Sequence, residues 1–356
     1  MPASPPSRGA TKNASSARFN LPARDDDGDW LDARDALDGA PAPPKTSVTI
    51  ERPRTIITRN NSPDIHFDRS INAYRGCEHG CIYCFARPTH AYHDLSPGID
   101  FETKLFAKPN AAALLREELA RPGYVPSPIA MGTNTDPYQP IEHDWGITRQ
   151  CLQILAETRH PVTITTKSHR VVRDLDILSD MARDELVTVA VSVTSLDPKI
   201  ARTLEPRAPT PANRLNAIRT LTAAKVPVYA SISPVIPAIT DHEIEHILEA
   251  VAEAGATAAF FLPVRLPFEV APLFEAWLAA HYPDRAAKVK NIIRSIRDGR
   301  ENDPAFFTRM RGSGPWADLL RTRFSIACSR LGLNRQKTRL RTDLFRPPEG
   351  AQMRLL

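Results

Sequence analysis

From Asp68 onward the chain alternates short apolar runs with longer stretches of helical period. The short runs fall at 70–74, 128–132, 162–166, 187–193, 226–232 and 257–262. Most are rich in Val, Ile and Thr and are bounded by polar or glycine residues, which is how strands read. Between them, apolar positions recur at three- and four-residue spacing over 109–120, 145–158, 170–183, 213–224 and 241–254. Asp241, with Glu243 and Glu245 in the following turn, marks a helix start. Six strands alternating with helices predict a parallel sheet, either an open barrel or a doubly wound sheet. In both, binding residues belong at the carboxyl ends of the strands.

The flanks read differently. Residues 1–47 are rich in Pro, Ala, Ser and Asp, with Asp25-Asp26-Asp27 and Pro41-Ala42-Pro43-Pro44, and lack sustained periodicity, so a disordered tail is expected. The β-branched stretch 46–57 predicts an edge strand or a wrap, and 101–107 an extra strand or extended loop. After about residue 267 the βα rhythm gives way to helical patterns at 268–280, 285–296 and 316–331. The expected organisation is a tail (1–47), a wrap or edge strand (48–67), an α/β core (68–266) and a mainly helical C-terminal region (267–356).

Composition adds a charge asymmetry. The net charge is +5, yet residues 285–356 alone hold 17 Lys+Arg against 6 Asp+Glu. Such an excess favours nucleic acid or another polyanion as a partner, the alternative being a solvated set of helical faces. Phe306, Phe307, Trp316 and Phe324 then read as stacking groups or as core. No run approaches the roughly 18 apolar residues of a membrane span, and no apolar stretch of signal-peptide type follows the start. Five cysteines, three of them clustered, do not make a disulfide framework, so a reduced, cytoplasmic setting is expected.

The cluster carries the chemistry. Cys77, Cys81 and Cys84 stand at C-x3-C-x2-C spacing, directly after the first strand of the repeat. Three thiolates leave one position of a metal centre open to a ligand, where four would close it. Gly76 and Gly80 let the backbone curl and bring amides toward the sulfurs, as a loop wrapping an iron–sulfur cluster requires. Zinc is the competing reading, with His79, His90 or His93 as fourth ligand.

The triad, with Tyr83 just before its last cysteine, resembles the radical S-adenosylmethionine (SAM) superfamily over about residues 68–265. Residues 132–140 (Gly-Thr-Asn-Thr-Asp-Pro-Tyr-Gln-Pro), 165–168 (Thr-Thr-Lys-Ser) and 204–207 (Leu-Glu-Pro-Arg) after Ser192-Val193-Thr194 are similar to the branch of spore photoproduct lyase and DNA repair photolyase-like proteins. The resemblance implies a partial (β/α)6 barrel with a mainly helical C-terminal region. It implies Cys77, Cys81 and Cys84 as ligands of three irons of one [4Fe–4S] cluster, with SAM on the fourth iron. It also implies a flavodoxin or ferredoxin as electron donor and a 5′-deoxyadenosyl radical that takes hydrogen from a substrate.

By the same resemblance Tyr83 packs near the adenine and Lys167 pairs with the SAM carboxylate. Thr133, Thr135 and Asp136 occupy the place of a Gly-Gly-Glu-like motif, absent here, that binds the methionine amine. Ser192 and Thr194 meet the ribose or the carboxylate. Against these roles stand ordinary ones: core packing for Tyr83, a turn for Thr133 to Asp136, solvated strand ends for the rest. Glu205 and Arg207 read as an ion pair. Cys151 reads as a buried structural thiol, and Tyr138 as packing or an alternative hydrogen donor. No catalytic residue and no substrate is assigned, with nucleic acid among the candidate partners. A zinc or iron–sulfur nucleic-acid-binding protein, or a redox sensor without turnover, remains the alternative.

Overall fold

The alternation read from the sequence builds a seven-stranded sheet in a computed structural model that describes residues 8–14, 16, 18–19, 45–336 and 338–348. Its strands are β2 (Ile57–Arg59), β3 (Arg69–Ile71), β6 (Ile129–Met131), β7 (Val162–Thr166), β8 (Val187–Ser192), β9 (Val228–Val235) and β10 (Ala258–Pro263). The order is β10-β9-β8-β7-β6-β3-β2, with β3 and β6 to β10 parallel and β2 antiparallel at one edge. Six parallel strands in sequence order, unpaired between the two edges, are a partial (β/α)6 barrel. A small second sheet joins β1 (Ser47–Ile50), β4 (Tyr74–Arg75) and β5 (Lys104–Ala107) in the order β1-β5-β4. The stretch expected as one strand over 70–74 is therefore split between two sheets. The β-branched stretch at 46–57 feeds both.

Alternation along the strands separates two faces. Ile71, Ile129, Met131, Val162, Ile164, Val187, Val189, Val191, Val228, Ala230 and Ile232 are buried in one core under the helices at 111–119, 147–157, 175–183, 211–223 and 244–253. The opposite face carries small and polar residues. Ser70, Ala130, Thr163 and Thr188 are neighbours in register, as are Thr165, Ala190, Tyr229 and Ala258, and then Ser192, Ser231 and Phe260. A closed (β/α)8 barrel fills its interior with bulky branched side chains, whereas this inner wall suits a polar ligand.

The C-terminal helices are joined to the barrel at both ends. Helix Val270–His281 packs Val270, Phe274 and Trp277 with Ile82, Tyr83, Leu204 and Ile236, and Trp277 Nε1 donates to the Thr203 carbonyl at 2.9 Å. Helix Gly314–Leu331 lies on helix Ile244–Glu253 through the Arg323–Glu245 pair (2.6 Å), with Phe324 against Phe261. Residues 338–348 then run under the barrel, where the Arg341 and Arg346 amides donate to the Glu185 and Thr158 carbonyls (3.0 and 2.9 Å).

Most of the expected disordered tail, 1–7 and 20–44, lies outside the described residues. Residues 8–14 differ from that expectation: Arg8 and Ala10 are buried, and the segment lies against the cysteine loop. No helix among the described residues is long and apolar enough to cross a membrane.

Candidate active site

β4 delivers the chain directly into the loop 76–84. Gly76 and Gly80 take left-handed backbone conformations (φ +72° and +67°). A Cβ at Gly76 would press on Leu105, His90 and the Phe101 carbonyl, so the turn needs glycine there. The Gly80 amide donates to the Cys77 carbonyl (3.3 Å), the Cys84 amide to that of Cys81 (3.2 Å), and the Cys77 amide to that of Phe101 (3.0 Å). Cys77 and Cys81 are buried and Cys84 half-buried, all as free thiols.

Burial, reinforced by Asp136 and by the other two cysteines, pushes the Cys77 thiol up. Burial likewise pushes Cys81 up to about 12 and raises Cys84. Ionising thiols in so dry a place calls for a cationic partner. Three thiols on one short loop, with no fourth to close the coordination, are the donor set an iron–sulfur cluster with an open position takes. Among the described residues no three His, Cys, Asp or Glu side chains, the cysteine triad included, are gathered around one point. Of the three histidines considered as a fourth ligand, two have one ring nitrogen engaged and the third packs on a ring, while His90 Nδ1 is buried without a partner among the described residues. His79 Nδ1 lies 3.3 Å from Asp136 Oδ2, His90 Nε2 lies 2.9 Å from the Lys104 carbonyl, and His93 packs on the Phe106 ring.

The turn after β6 braces this loop. Thr135 Oγ1 and Gln139 Nε2 donate to the Gly76 carbonyl (2.6 and 3.2 Å), and Gln139 Oε1 accepts from the Glu78 amide (3.0 Å). Thr133 Oγ1 accepts from Asn72 Nδ2 at 3.1 Å. Asp136 accepts from Thr166 Oγ1 (2.6 Å) and from the amides of Lys167 (2.8 Å) and Tyr138 (2.9 Å). Burial alone would raise its pKa, but His79 and these donors hold it at about 2. Thr135 and Asp136, expected at the methionine amine, thus also hold the loop, while Thr133 pairs with Asn72.

Across the mouth, buried Glu205 accepts from the Tyr83 hydroxyl, from Thr194 Oγ1 (2.7 Å) and from Arg214 Nη2. Arg214 also donates to the carbonyls of Ser192 (3.1 Å) and Pro209 (2.9 Å). Burial works against the Glu205 carboxylate, yet Arg214, Lys167 and Tyr83 bring its pKa to about 2. The expected pairing of Glu205 with Arg207 does not form. Helix Pro211–Ala223 starts beside the end of β8 and its first turn presents Arg214 to Glu205, while Arg207 pairs with Glu78 at 3.0 Å.

Lys167, just past β7, differs from these groups. Its Nζ lies 4.0 Å from Glu205 Oε1 and 5.7 Å from the centre of the Tyr83 ring, and it makes no side-chain hydrogen bond among the described residues. Burial disfavours its charge, but Cys81 and Glu205 outweigh that and keep its pKa above the ordinary lysine value. Ser192 is buried at the end of β8, in register with Ser231 on β9. Two residues on, Ser233 has a buried hydroxyl without a partner among the described residues. Ser231 and Ser233 escaped sequence reasoning, although the alternation Val228, Ala230, Ile232 against Tyr229, Ser231, Ser233 marks them as inner-wall residues. Cys151 is buried in the helical core, as expected. Tyr138 is buried there too, with its hydroxyl donated to Asp174 at 3.0 Å, so it packs rather than faces the loop.

Comparison with known proteins agrees with this geometry. The family model of the radical SAM superfamily matches residues 71–251. An uncharacterised protein of Mycobacterium tuberculosis is 38% identical over 236 residues, covering 66% of this chain and 69% of its own. One of Methanocaldococcus jannaschii is 27% identical over 221 residues, covering 62% and 79%. Among solved structures, spore photoproduct lyase complexed with dinucleoside spore photoproduct is similar with a TM-score of 0.59, at 14% identity and 80% coverage of both chains. That likeness is one of fold.

Proposed function

The chain belongs to the radical SAM superfamily, and from that premise we propose that Cys77, Cys81 and Cys84 hold a [4Fe–4S] cluster with one position left for SAM. The protein is an enzyme of that superfamily. The observation that carries the reading is three free thiols on one glycine-hinged loop at the barrel mouth, with the ammonium of Lys167 at the same mouth. When bound, the cluster and SAM supply reductive cleavage of the sulfonium, and from it a radical that takes hydrogen from the substrate.

This chain's own residues bind, orient and exclude. The Lys167 ammonium pairs with the SAM carboxylate. Ser192, Ser231 and Ser233 offer hydroxyls along the inner wall, and Tyr83, tethered by Glu205, presents its ring beside Lys167. Ile82, Leu204, Ile236 and helix Val270–His281 keep water from the back of the loop. A small reduced protein such as flavodoxin or ferredoxin is the proposed electron source. Anaerobic reconstitution, then dithionite and SAM, is expected to release 5′-deoxyadenosine and methionine. A protein carrying its full iron and releasing neither would overturn the reading.

Nucleic acid is the proposed substrate class, on a ground other than tail charge. Several C-terminal arginines are spent on acids of the barrel, as in Arg323–Glu245, Arg330–Glu249 and Arg309–Asp64. Support comes instead from an exposed aromatic ring beside the cysteine loop, Phe85, which carries Arg265 at 5.2 Å. Phe85 directly follows Cys84, and such a pair suits a stacked base next to a phosphate. The solved relative similar in fold binds a dinucleoside. Single-stranded DNA or RNA is expected to bind with a steep salt dependence, weakened by Phe85→Ala. A flat salt response would remove this part of the proposal.

A further inference from the structure

Arg87 is fully buried and all five of its N–H groups are used. Nε donates to the Cys81 carbonyl (2.9 Å), Nη1 to those of Pro97 and Gly98 (3.0 and 2.9 Å), and Nη2 to that of Gly80 (3.1 Å) and to Glu102 Oε1 (2.6 Å). Glu102, equally buried, has its remaining capacity filled by the N-terminal segment. The Ala10 amide donates to Oε1 (2.8 Å) and the Gly9 amide to Oε2 (2.9 Å), while Arg8 Nη1 donates to the Glu102 carbonyl (3.1 Å). Gly9 lies so close to the cysteine loop that a Cβ there would run into the Gly80 carbonyl. Asn13 Oδ1 then accepts from the amides of Ile99 and Asp100 (2.9 and 3.3 Å), and Ala14 exchanges two bonds with Ser96 (2.8 and 3.0 Å).

We infer that residues 8–14 are a positioning strap for the cysteine loop, acting through Glu102 and Arg87. The inference rests on the reading of Cys77, Cys81 and Cys84 as cluster ligands. The chain of contacts runs from the strap amides to the Glu102 carboxylate, from it to the guanidinium, and from that to the carbonyls of Gly80 and Cys81. Because a peptide unit is planar and trans, fixing its carbonyl also fixes its N–H on the opposite side. The Cys81–Ile82 unit is pinned at both ends, since the Ile82 amide donates to the Leu204 carbonyl at 3.0 Å. The Gly80–Cys81 unit is pinned at its carbonyl only, and its N–H has no acceptor among the described residues. It is thereby held facing away from Arg87, free for a sulfur acceptor. Amide hydrogen bonds to sulfur tune an iron–sulfur cluster, and partners behind metal ligands govern retention. Loosening the strap frees this peptide unit without removing a ligand.

The test uses full-length protein reconstituted anaerobically with iron and sulfide. It reads the rate of iron release to excess chelator and the electron paramagnetic resonance spectrum of the dithionite-reduced protein. Gly9→Ala is expected to speed iron release roughly tenfold or more, in line with other changes behind metal ligands, and to change the spectrum. Asn13→Ala, at the exposed far end of the strap, is expected to speed release by a smaller factor with the iron-free thermal midpoint unchanged. Asn13→Asp, which keeps the acceptor, should restore wild-type release. Wild-type rates and spectra in both Gly9→Ala and Asn13→Ala would overturn the strap, and if Gly9→Ala fails to fold, Asn13→Ala decides alone. A wild-type protein that takes up no iron would instead sink the cluster reading beneath it.

Discussion

Arg214→Met is the sharpest probe of how the mouth of the barrel is held. The substitution keeps roughly the length of the side chain and removes its charge and its donors. The bonds to the Ser192 and Pro209 carbonyls go, and Glu205, 1% exposed, loses its main counter-charge. Removing one partner of a buried pair costs about 3–5 kcal/mol, because the other charge is left dry and unmatched. Here the lower end applies, about 3 kcal/mol, since Tyr83 and Thr194 still donate to Glu205 and Lys167 stands 4.0 Å away. Urea unfolding of the iron-free protein, followed by circular dichroism and by tryptophan fluorescence, measures it. Adding Glu205→Gln should recover much of the loss, so the double-mutant cycle should show coupling of about 2 kcal/mol or more. A loss under about 1 kcal/mol, or strict additivity, would refute a buried, mutually dependent pair. A functional corollary follows: with Arg214 gone, Glu205 draws Lys167 toward itself, so SAM affinity should fall although Arg214 is not placed against the cofactor.

Three further outcomes are expected. Lys167→Met should weaken SAM binding to the reconstituted protein about 10- to 100-fold, the worth of a charged hydrogen bond, by equilibrium dialysis, with Lys167→Arg in between; an unchanged Kd would remove Lys167 from the site. Cys81→Ala should abolish the cluster's iron and visible absorbance, whereas Cys151→Ala should leave iron uptake at the wild-type level; the reverse pattern would be fatal to the triad. Buried His160 accepts from the Tyr124 hydroxyl (2.8 Å) at Nε2, donates to the Pro161 carbonyl (2.9 Å) at Nδ1, and has its pKa lowered to about 4 by burial. The unfolded chain therefore binds the extra proton first. The stability from keeping it neutral is complete above pH 6.5 and is lost as the pH falls through about 4, in all about 3 kcal/mol, and His160→Gln should flatten that part of the curve.

The barrel was legible because its signals are dense and local. In β8 the valines 187, 189 and 191 alternate with Thr188, Ala190 and Ser192, and each following helix carries its own apolar stripe. Short helix Pro198–Leu204 was missed because it spans only two turns, although Asp197 caps it at the Lys199 amide (2.7 Å) and Pro198 opens it. The strap was missed for a different reason. Its docking uses backbone amides, a glycine contact and single side chains, so its Gly, Ala, Thr and Asn leave no periodicity and read as a tail.

At the site, the cysteine spacing marked the triad as a set, and the structure places its three thiols within eight residues on one glycine-hinged loop. Strand-end polar residues were legible as a set but not in role. Thr194, Asp136 and Lys167 all follow the carboxyl ends of their strands, and only packing decides which atoms turn to the protein. Glu205 illustrates the limit: Arg207 and Arg214 both lie within a short stretch of it, and the choice depends on where helix Pro211–Ala223 begins and how it points.

Charge balance around the loop gives those separate pairings one consequence. Glu51 is matched by Arg75, Glu78 by Arg207, Glu102 by Arg87 and Glu205 by Arg214, and Asp136 is held by hydrogen bonds from Thr166 and two backbone amides. Each carboxylate near the cysteines thus has its own partner, and a matched buried pair offers a ligand little field. Lys167 stands beside these pairs without a hydrogen-bond partner of its own among the described residues. Its nearest carboxylate, Glu205, is 4.0 Å away and already held by Arg214, so an anionic group on the ligand answers its charge at shorter range in a poorly solvated place, where such attraction is strongest. A free amino acid carboxylate, as SAM carries, meets that demand beside the thiols. A carboxyl-esterified analogue of SAM should therefore lose affinity for the wild type but not for Lys167→Met, and equal losses in both would break the link between this lysine and the carboxylate.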